Sequence, residues 1–298
     1  MMSRIELAGL ATVAITAAFT ATAMAQPAPP PAPPLYAATK VEGTDNVYIF
    51  RYQGHQAMFV VTKDGVIATD PIGERRPAAK AYIEEIQKIT KAPIKYVIYS
   101  HSHFDHIAGG KPFKDIGATF IAHKNAKARI AQLKPDDVVM PDQVVDGKKT
   151  ITLGGTTLEL TWVGRNHSDS TLIMRLPKEK IIFTVDWIPI NGVQFRDMAD
   201  TYIPEIEDSL KKVIAMDWER NIPGHPGPGG RLGTKDDAKA HLQYLQDLSA
   251  LVKQAVSEGK NYNDAMALKL PKYESWGGYG PFLPMNIERY FDFWNRGI

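Results

Sequence analysis

The chain has no cysteine among its 298 residues. That one absence excludes disulfide staples, thiolate zinc sites, cysteine-ligated iron–sulfur clusters and a cysteine nucleophile. Any resident metal must therefore be held by histidine, aspartate or glutamate. An excess of either charge is missing too: Lys+Arg 35 against Asp+Glu 33 leaves a formal +2. So small a balance argues against an electrostatic nucleic-acid binder. Beyond the N-terminal segment, no apolar run approaches the ~20 residues that span a bilayer. What is present is a globular composition, 44% hydrophobic and 23% charged, enough to bury a core without a metal or disulfide to hold it together.

At the N-terminus, Leu7–Ala21 is almost wholly apolar and small, and Ala23-Met24-Ala25 has the small-x-small pattern of a cleavage site. This predicts a secretory signal peptide over residues 1–25 and a periplasmic or secreted product with no membrane contact after cleavage. Gln26–Pro34 (QPAPPPAPP) reads as an extended, disordered leader. No similar stretch interrupts the rest, which predicts one domain over 35–298 ending in a helical and aromatic C-terminal extension. No feature of the sequence sets an oligomeric state.

Val47–Tyr52, Ala57–Thr62 and Val66–Thr69 read as strands, followed by a helix over Pro77–Thr90 and a buried strand at Ile94–Tyr99. A single short helix is expected near Ile107–Lys114. Later strand-like runs end at Val163, Val185 and Ile222, with helices over Pro204–Met216 and Lys235–Ser257. Both halves run strands first and then alternate strand with helix. The expectation is an α/β chain with two packed sheets and helices outside.

The segment that carries chemistry is Ser100-His101-Ser102-His103-Phe104-Asp105-His106, followed by Ile107-Ala108-Gly109-Gly110. Three imidazoles and a carboxylate follow a buried strand closely, a density with no packing rationale. Residues two apart in an extended segment point the same way, so His101 and His103 can grip one ion. Asp105 and His106 fall where the chain turns into a helix and can serve a second. Three more polar residues end apolar strands: His167, Asp186 and His225. Five His and two Asp on one rim suit two metals with room left for water, the open arrangement of a catalytic site. His123 reads as a helix lead-in, while His55, in a turn, and His241, on the long helix, read as solvated.

In these residues the sequence resembles the metallo-β-lactamase superfamily. The HxHxDH signature is matched in full, then Gly-x-x-His-Ser-x-Asp, a strand ending in Asp, and Pro-Gly-His. The resemblance implies a four-layer αβ/βα sandwich of two mixed β-sheets with outer helices. It implies two Zn²⁺ per chain, one on His101, His103 and His167, the other on Asp105, His106 and His225, with Asp186 bridging. Asp70 matches the Asp that braces the metal loop from behind. The activity implied is that of a zinc hydrolase in which a metal-bound hydroxide attacks a carbonyl centre of a small lactone, ester, thioester or β-lactam. Asp105 is the expected catalytic carboxylate, orienting the nucleophile and passing on its proton. Neutral histidines would leave the loaded site one net positive charge, which favours substrates bearing a carboxylate.

The absence of cysteine sets aside family members with a cysteine ligand, and the signature departs from the flavodiiron branch, which has Glu in place of its second His. Two other readings stay open. One is a mononuclear iron enzyme of the persulfide-dioxygenase kind, and the other is a non-catalytic metal-binding module. For the substrate, the aromatic and glycine-rich run Tyr273–Phe282 suggests that Trp276, Tyr279 or Phe282 lines the cleft mouth. Trp187, beside Asp186, is expected there as well.

Overall fold

A computed structural model describes residues 34–73 and 76–298; the segment expected to be a signal peptide and almost all of the proline-rich leader lie outside the described residues. The first sheet holds β1 (Tyr36–Lys40), β2 (Val47–Tyr52), β3 (His55–Thr62), β4 (Gly65–Thr69), β5 (Ile94–Ile98), β6 (Thr119–His123) and β7 (Gln143–Val145), in that spatial order. β1 to β4 pair antiparallel, and β4 to β7 pair parallel. The second sheet runs β12 (Arg220–Pro223), β11 (Ile181–Val185), β10 (Ile173–Leu176), β9 (Thr156–Thr161) and β8 (Lys148–Leu153). It is antiparallel except for the β11–β12 pair. Both sheets are mixed.

The period-two alternation of β3 shows how the layers form. Met58 and Val60 face the second sheet and pack with Leu158, Met174 and Phe183. Phe59, one residue out of phase, packs with Tyr82 and Ile86 of α1 (Ala78–Ile89) on the other side. The outer face of the second sheet packs, through Ile173 and Ile182, against α5 (Ile203–Ala215), α6 (Lys235–Ser257) and α8 (Tyr279–Arg296). Helix, sheet, sheet and helix give the four layers expected. Between them lie α2 (Phe104–Ile107), α3 (Lys111–Asp115), α4 (Lys124–Leu133) and α7 (Tyr262–Met266).

Two local expectations need correcting, at Ile107–Lys114 and at His241, while the C-terminal helical extension is there. The single helix near Ile107–Lys114 is two, α2 and α3, because the backbone turns extended at Ala108 (ψ 167) and Gly109 follows with a φ of +76, which separates them. The glycine-interleaved aromatic run leads directly into α8, where Leu283, Ile287, Tyr290 and Phe291 bury one face at helical spacing. His241 is not solvated. It is fully buried on α6, and its Nε2 accepts a 2.6 Å hydrogen bond from Gln194.

Burial pushes the His241 imidazole down to about 3. The unfolded chain would protonate it near its ordinary 6.5, so below that pH the unfolded state binds the extra proton. Stability from this residue is therefore flat above pH 6.5 and falls as pH drops towards 3, by about 1.4 kcal/mol per pH unit. Urea unfolding of His241→Gln beside the parent, between pH 5 and 7 (roughly the upper part of this window), is expected to show a shallower loss in the variant. Parallel pH profiles would contradict a buried neutral His241.

Candidate metal centre

Strand direction brings the polar residues to one rim. β4, β5, β9, β11 and β12 end there, delivering Asp70, His101, His167, Asp186 and His225 in turn. β3 runs antiparallel to β4, so its first residue, His55, comes to the same rim. This placement at the carboxyl ends of strands is where α/β folds build their sites.

Two groups of four donors result, each with its ligand atoms within 4.8 Å of one another. One is His101, His103, His167 and Asp186. The other is His55, Asp105, His106 and His225. Asp186 lies between them. Its Oδ2 is 3.0 Å from His106 Nε2, 3.8 Å from His167 Nε2 and 3.9 Å from His101 Nε2, and its Oδ1 is 3.2 Å from His225 Nε2. The seven expected ligands are thus together, and His55 joins them.

The imidazoles are aimed by bonds on their outward nitrogens. His101 Nδ1 lies 2.9 Å from Ser100 Oγ, and His225 Nδ1 donates to Gly54 O at 2.6 Å. His106 Nδ1 lies 3.6 Å from Asp70 Oδ2, while Asp70 Oδ1 accepts the Ser100 N–H at 2.8 Å. Asp70 thus holds Ser100, at the head of the histidine-rich segment, by a hydrogen bond, and faces His106 beyond hydrogen-bond distance, so its Oδ2 and His106 Nδ1 are both left without a partner. His103 turns Nδ1 towards His167 Nε2 at 3.2 Å, and its Nε2 pairs with Asp200 Oδ2 at 3.2 Å. Asp200 also accepts from Arg129 Nη1 at 2.8 Å.

The inward atoms are left short of partners. His101 Nε2, His106 Nε2 and Asp186 Oδ1 are buried without a hydrogen bond; His106 and Asp186 approach within 3.0 Å but are not aligned for one. Buried polar atoms are rarely abandoned. A cation among them would satisfy all three, so the residues fit a metal on their chemistry and on this count of orphans.

Electrostatics point the same way. Burial, then the neighbouring His103, pushes His101 well below its ordinary range; His167 is lowered to about 4 by burial and His103. Both are neutral at physiological pH, the form that ligates metal. Burial works to raise the Asp105 and Asp186 carboxyls. For Asp105 the His55 hydrogen bond and His106, and for Asp186 the charges of His106 and His225, outweigh it and hold them below the carboxylate range. Burial likewise would lower His106, but Asp186 raises it well above 6.5. His55, lowered chiefly by burial, is not the solvated turn residue expected.

The centre opens into a cleft of about 1050 Å³. Asp105, His103, His167, Asp186 and His225 form its floor, and Ile188, Ile190, Phe195, Met198 and Phe282 supply apolar wall. Of the four aromatic residues expected there, only Phe282 lines it. Trp187 is fully buried, packed among Leu245, Leu283 and their neighbours, because the chain turns its side chain away from the rim next to Asp186. Trp276 packs against Tyr244 and Tyr273, and the Tyr279 hydroxyl accepts the Leu270 N–H at 3.1 Å. Both rings serve the core, while the backbone of Gly277 and Gly278 borders the cleft. His123 caps α4 as expected, accepting the Asn125 N–H at 3.3 Å.

His55 and Asp200 are the two site groups that the sequence reading missed. His55 reaches the site through strand pairing, and Asp200 through a loop with no periodic pattern.

Residues 52–225 match the family model of the metallo-beta-lactamase superfamily. Among curated relatives, the 2,4-dinitroanisole O-demethylase subunit alpha of Nocardioides sp. (strain JS1661) is 23% identical over 54% of this chain and 49% of its own length. The metallo-beta-lactamase type 2 of Bacillus cereus is 25% identical over 57% of this chain and 66% of its own. The chain thus spans about half to two thirds of these relatives. Among solved structures, a metallo-beta-lactamase from Pontibacter korlensis superposes with a TM-score of 0.60 at 21% identity, covering 71% of this chain and 99% of that one. The metallo-beta-lactamase FIM-1 from Pseudomonas aeruginosa, in its mono-zinc form, gives 0.61 at 17% identity, over 71% and 96%. With a family match across more than half of its length, the layered sheets it describes and the donor-lined rim at their ends, this chain belongs to the metallo-β-lactamase superfamily.

Proposed function

We propose that the chain is an exported dinuclear zinc hydrolase acting on a carbonyl centre of a small molecule. The observation that carries this is the position of Asp186, within 3.9 Å of histidines from both donor groups. His101, His103 and His167 would hold one ion, and Asp105, His106 and His225 the other, with Asp186 shared. Two zinc ions bound there supply a water acidified to near neutral pH and a Lewis acid for the substrate oxygen.

The protein's own groups do the rest. Asp105 is held anionic at the cleft floor and faces the shared carboxylate's neighbours, placed to orient the attacking water and accept its proton. The apolar wall of Ile188, Ile190, Met198 and Phe282 takes the body of the substrate and reduces water around the reacting carbonyl. Arg196, on the same wall, adds positive charge for an anionic substituent. Relatives' names include both beta-lactamases and an O-demethylase subunit, so they do not choose among substrates.

A screen of lactones, β-lactams, thioesters, aryl esters and phosphotriesters against zinc-loaded protein tests the proposal. Turnover that a chelator abolishes and zinc restores is expected for a carbonyl class. Oxygen consumption with a persulfide and iron, without any hydrolysis, would replace the hydrolase reading with a dioxygenase.

A further inference from the structure

The β2–β3 hairpin turns at Gln53-Gly54, with Gln53 at a φ of +52. Three bonds fasten it to the rim. Gln56 donates its backbone N–H to Gly224 O at 2.6 Å and its side-chain amide to Pro223 O at 2.9 Å, and His225 Nδ1 donates to Gly54 O at 2.6 Å. The turn is therefore part of the site's wall.

The clamp seats His55 against three donors. Its side chain is 11% exposed, and its ring lies 4.4 Å from that of His225 and 5.3 Å from that of His106. Its Nε2 is 3.1 Å from Asp105 Oδ2, the oxygen that also lies 3.6 Å from His106 Nε2. A position with only a packing duty would take an apolar side chain, since a buried imidazole must find partners for its nitrogens. Here the nitrogen is turned to the one place where ligand atoms converge.

We infer that His55 is an additional metal donor, completing a site with Asp105, His106 and His225. The inference rests on the dinuclear reading above and goes beyond it. With Asp186 shared, this second site would offer five protein donors against four at the first. It would be the more closed and the tighter of the two, leaving open coordination for water and substrate on the His101–His103–His167 side.

The competing role is a hydrogen bond that merely positions Asp105. His55→Gln separates the two, because its amide can still donate to the carboxylate but is a poor zinc ligand. The full chain, stripped of metal, is titrated with zinc against a chromophoric chelator, for the parent, His55→Gln and His55→Ala. The cobalt-substituted proteins are then examined by NMR for solvent-exchangeable, paramagnetically shifted imidazole N–H signals. A donor role requires both variants to lose, for one equivalent, at least the roughly 10–100-fold in affinity that loss of a mere supporting partner costs, while keeping the other. It also requires six such signals in the parent, falling by one in each variant.

Parent-like affinity in His55→Gln, with five signals in the parent, would make His55 a positioning residue and overturn the inference. Unchanged affinity in both variants would overturn it as well. If His55→Ala fails to fold, as judged by far-UV circular dichroism, His55→Gln alone decides. A parent that takes up fewer than two ions would count against the dinuclear reading itself, a distinct failure.

Discussion

Asp186→Ala is expected to lower hydrolysis on the order of 100-fold or more and to release metal from both donor groups. Removing any other ligand weakens one group, but Asp186 touches His106 and His225 on one side and His101 and His167 on the other. Its loss leaves the buried His101 and His106, the half-buried His167 and the exposed His225 without their shared counter-charge, Asp105 near His106 being the one converging carboxylate left, which raises the cost of bringing cations in. Removal of a mere supporting partner around a metal already costs 10–100-fold in affinity or activity, so a shared ligand should cost at least that. Asp169→Ala is the control. Asp169 pairs with Arg129 at 3.3 Å and is not among the converging donors, so it should keep both ions. Metal content and turnover measured on both variants check the assignment. Parental values in Asp186→Ala would remove Asp186 from the site.

Gly224→Ala is expected to damage the same centre without replacing a ligand. Gly224 follows β12 where that strand pairs in parallel with the end of β11, its N–H bonded to Val185 O at 2.8 Å. A Cβ there would collide with Asp186 Oδ1 and come within 2.7 Å of Val185 Cγ2 and 3.0 Å of the Val185 backbone. Neither strand end can give way, because β11 is buried throughout and Gln56 holds the Gly224 carbonyl. Forced overpacking of this kind typically costs 1–3 kcal/mol. The displaced carboxylate should also forfeit the stabilisation that bound zinc gives, about 2.7 kcal/mol when zinc is at 100 times its dissociation constant. Thermal melts with zinc and with chelator are the measurement. The parent should melt higher with zinc, and Gly224→Ala should melt low in both. Gly280→Ala, where nothing lies within 4 Å, should melt at or slightly above the parent. A zinc-dependent rise in Gly224→Ala equal to the parent's would show that the paired strand ends have slack.

Why some of this was legible in the sequence follows from where the information sits. His101, His103, Asp105 and His106 are neighbours in the chain, and the apolar run before them announces a strand, so their convergence needs no tertiary knowledge. His167, Asp186 and His225 each end an apolar run, and a shared strand direction then brings such ends to one rim. His55 precedes its strand's apolar run, after a Gln53-Gly54 turn. Only the antiparallel pairing of β3 with β4 places that start beside the other strands' ends. Asp200 lies in a loop whose path is set by contacts far away in sequence, among them the hydrogen bond from Asn286 Nδ2 to Arg196 O at 2.6 Å.

Aromatic residues beside ligands proved harder to orient. Trp187 and Asp186 are adjacent, yet one faces the core and the other the cleft, and adjacency alone carries no sign for which is which. α8, by contrast, left a readable signal: Leu283, Ile287, Tyr290 and Phe291 hold helical spacing despite Pro284 and the glycines before it. The edge strands β1 and β7 left none. They are short, and β1 is half-exposed to exposed throughout, so no apolar alternation marks it.

The measurement that bears most directly on the dinuclear account is the metal content of the purified chain, taken together with its dependence of activity on that content. Protein produced with zinc in the medium should carry about two ions per chain, and hydrolysis should reach its full rate only as the second ion is restored after chelation. A chain that saturates at one ion with full activity, or that hydrolyses its substrate with none, would contradict it.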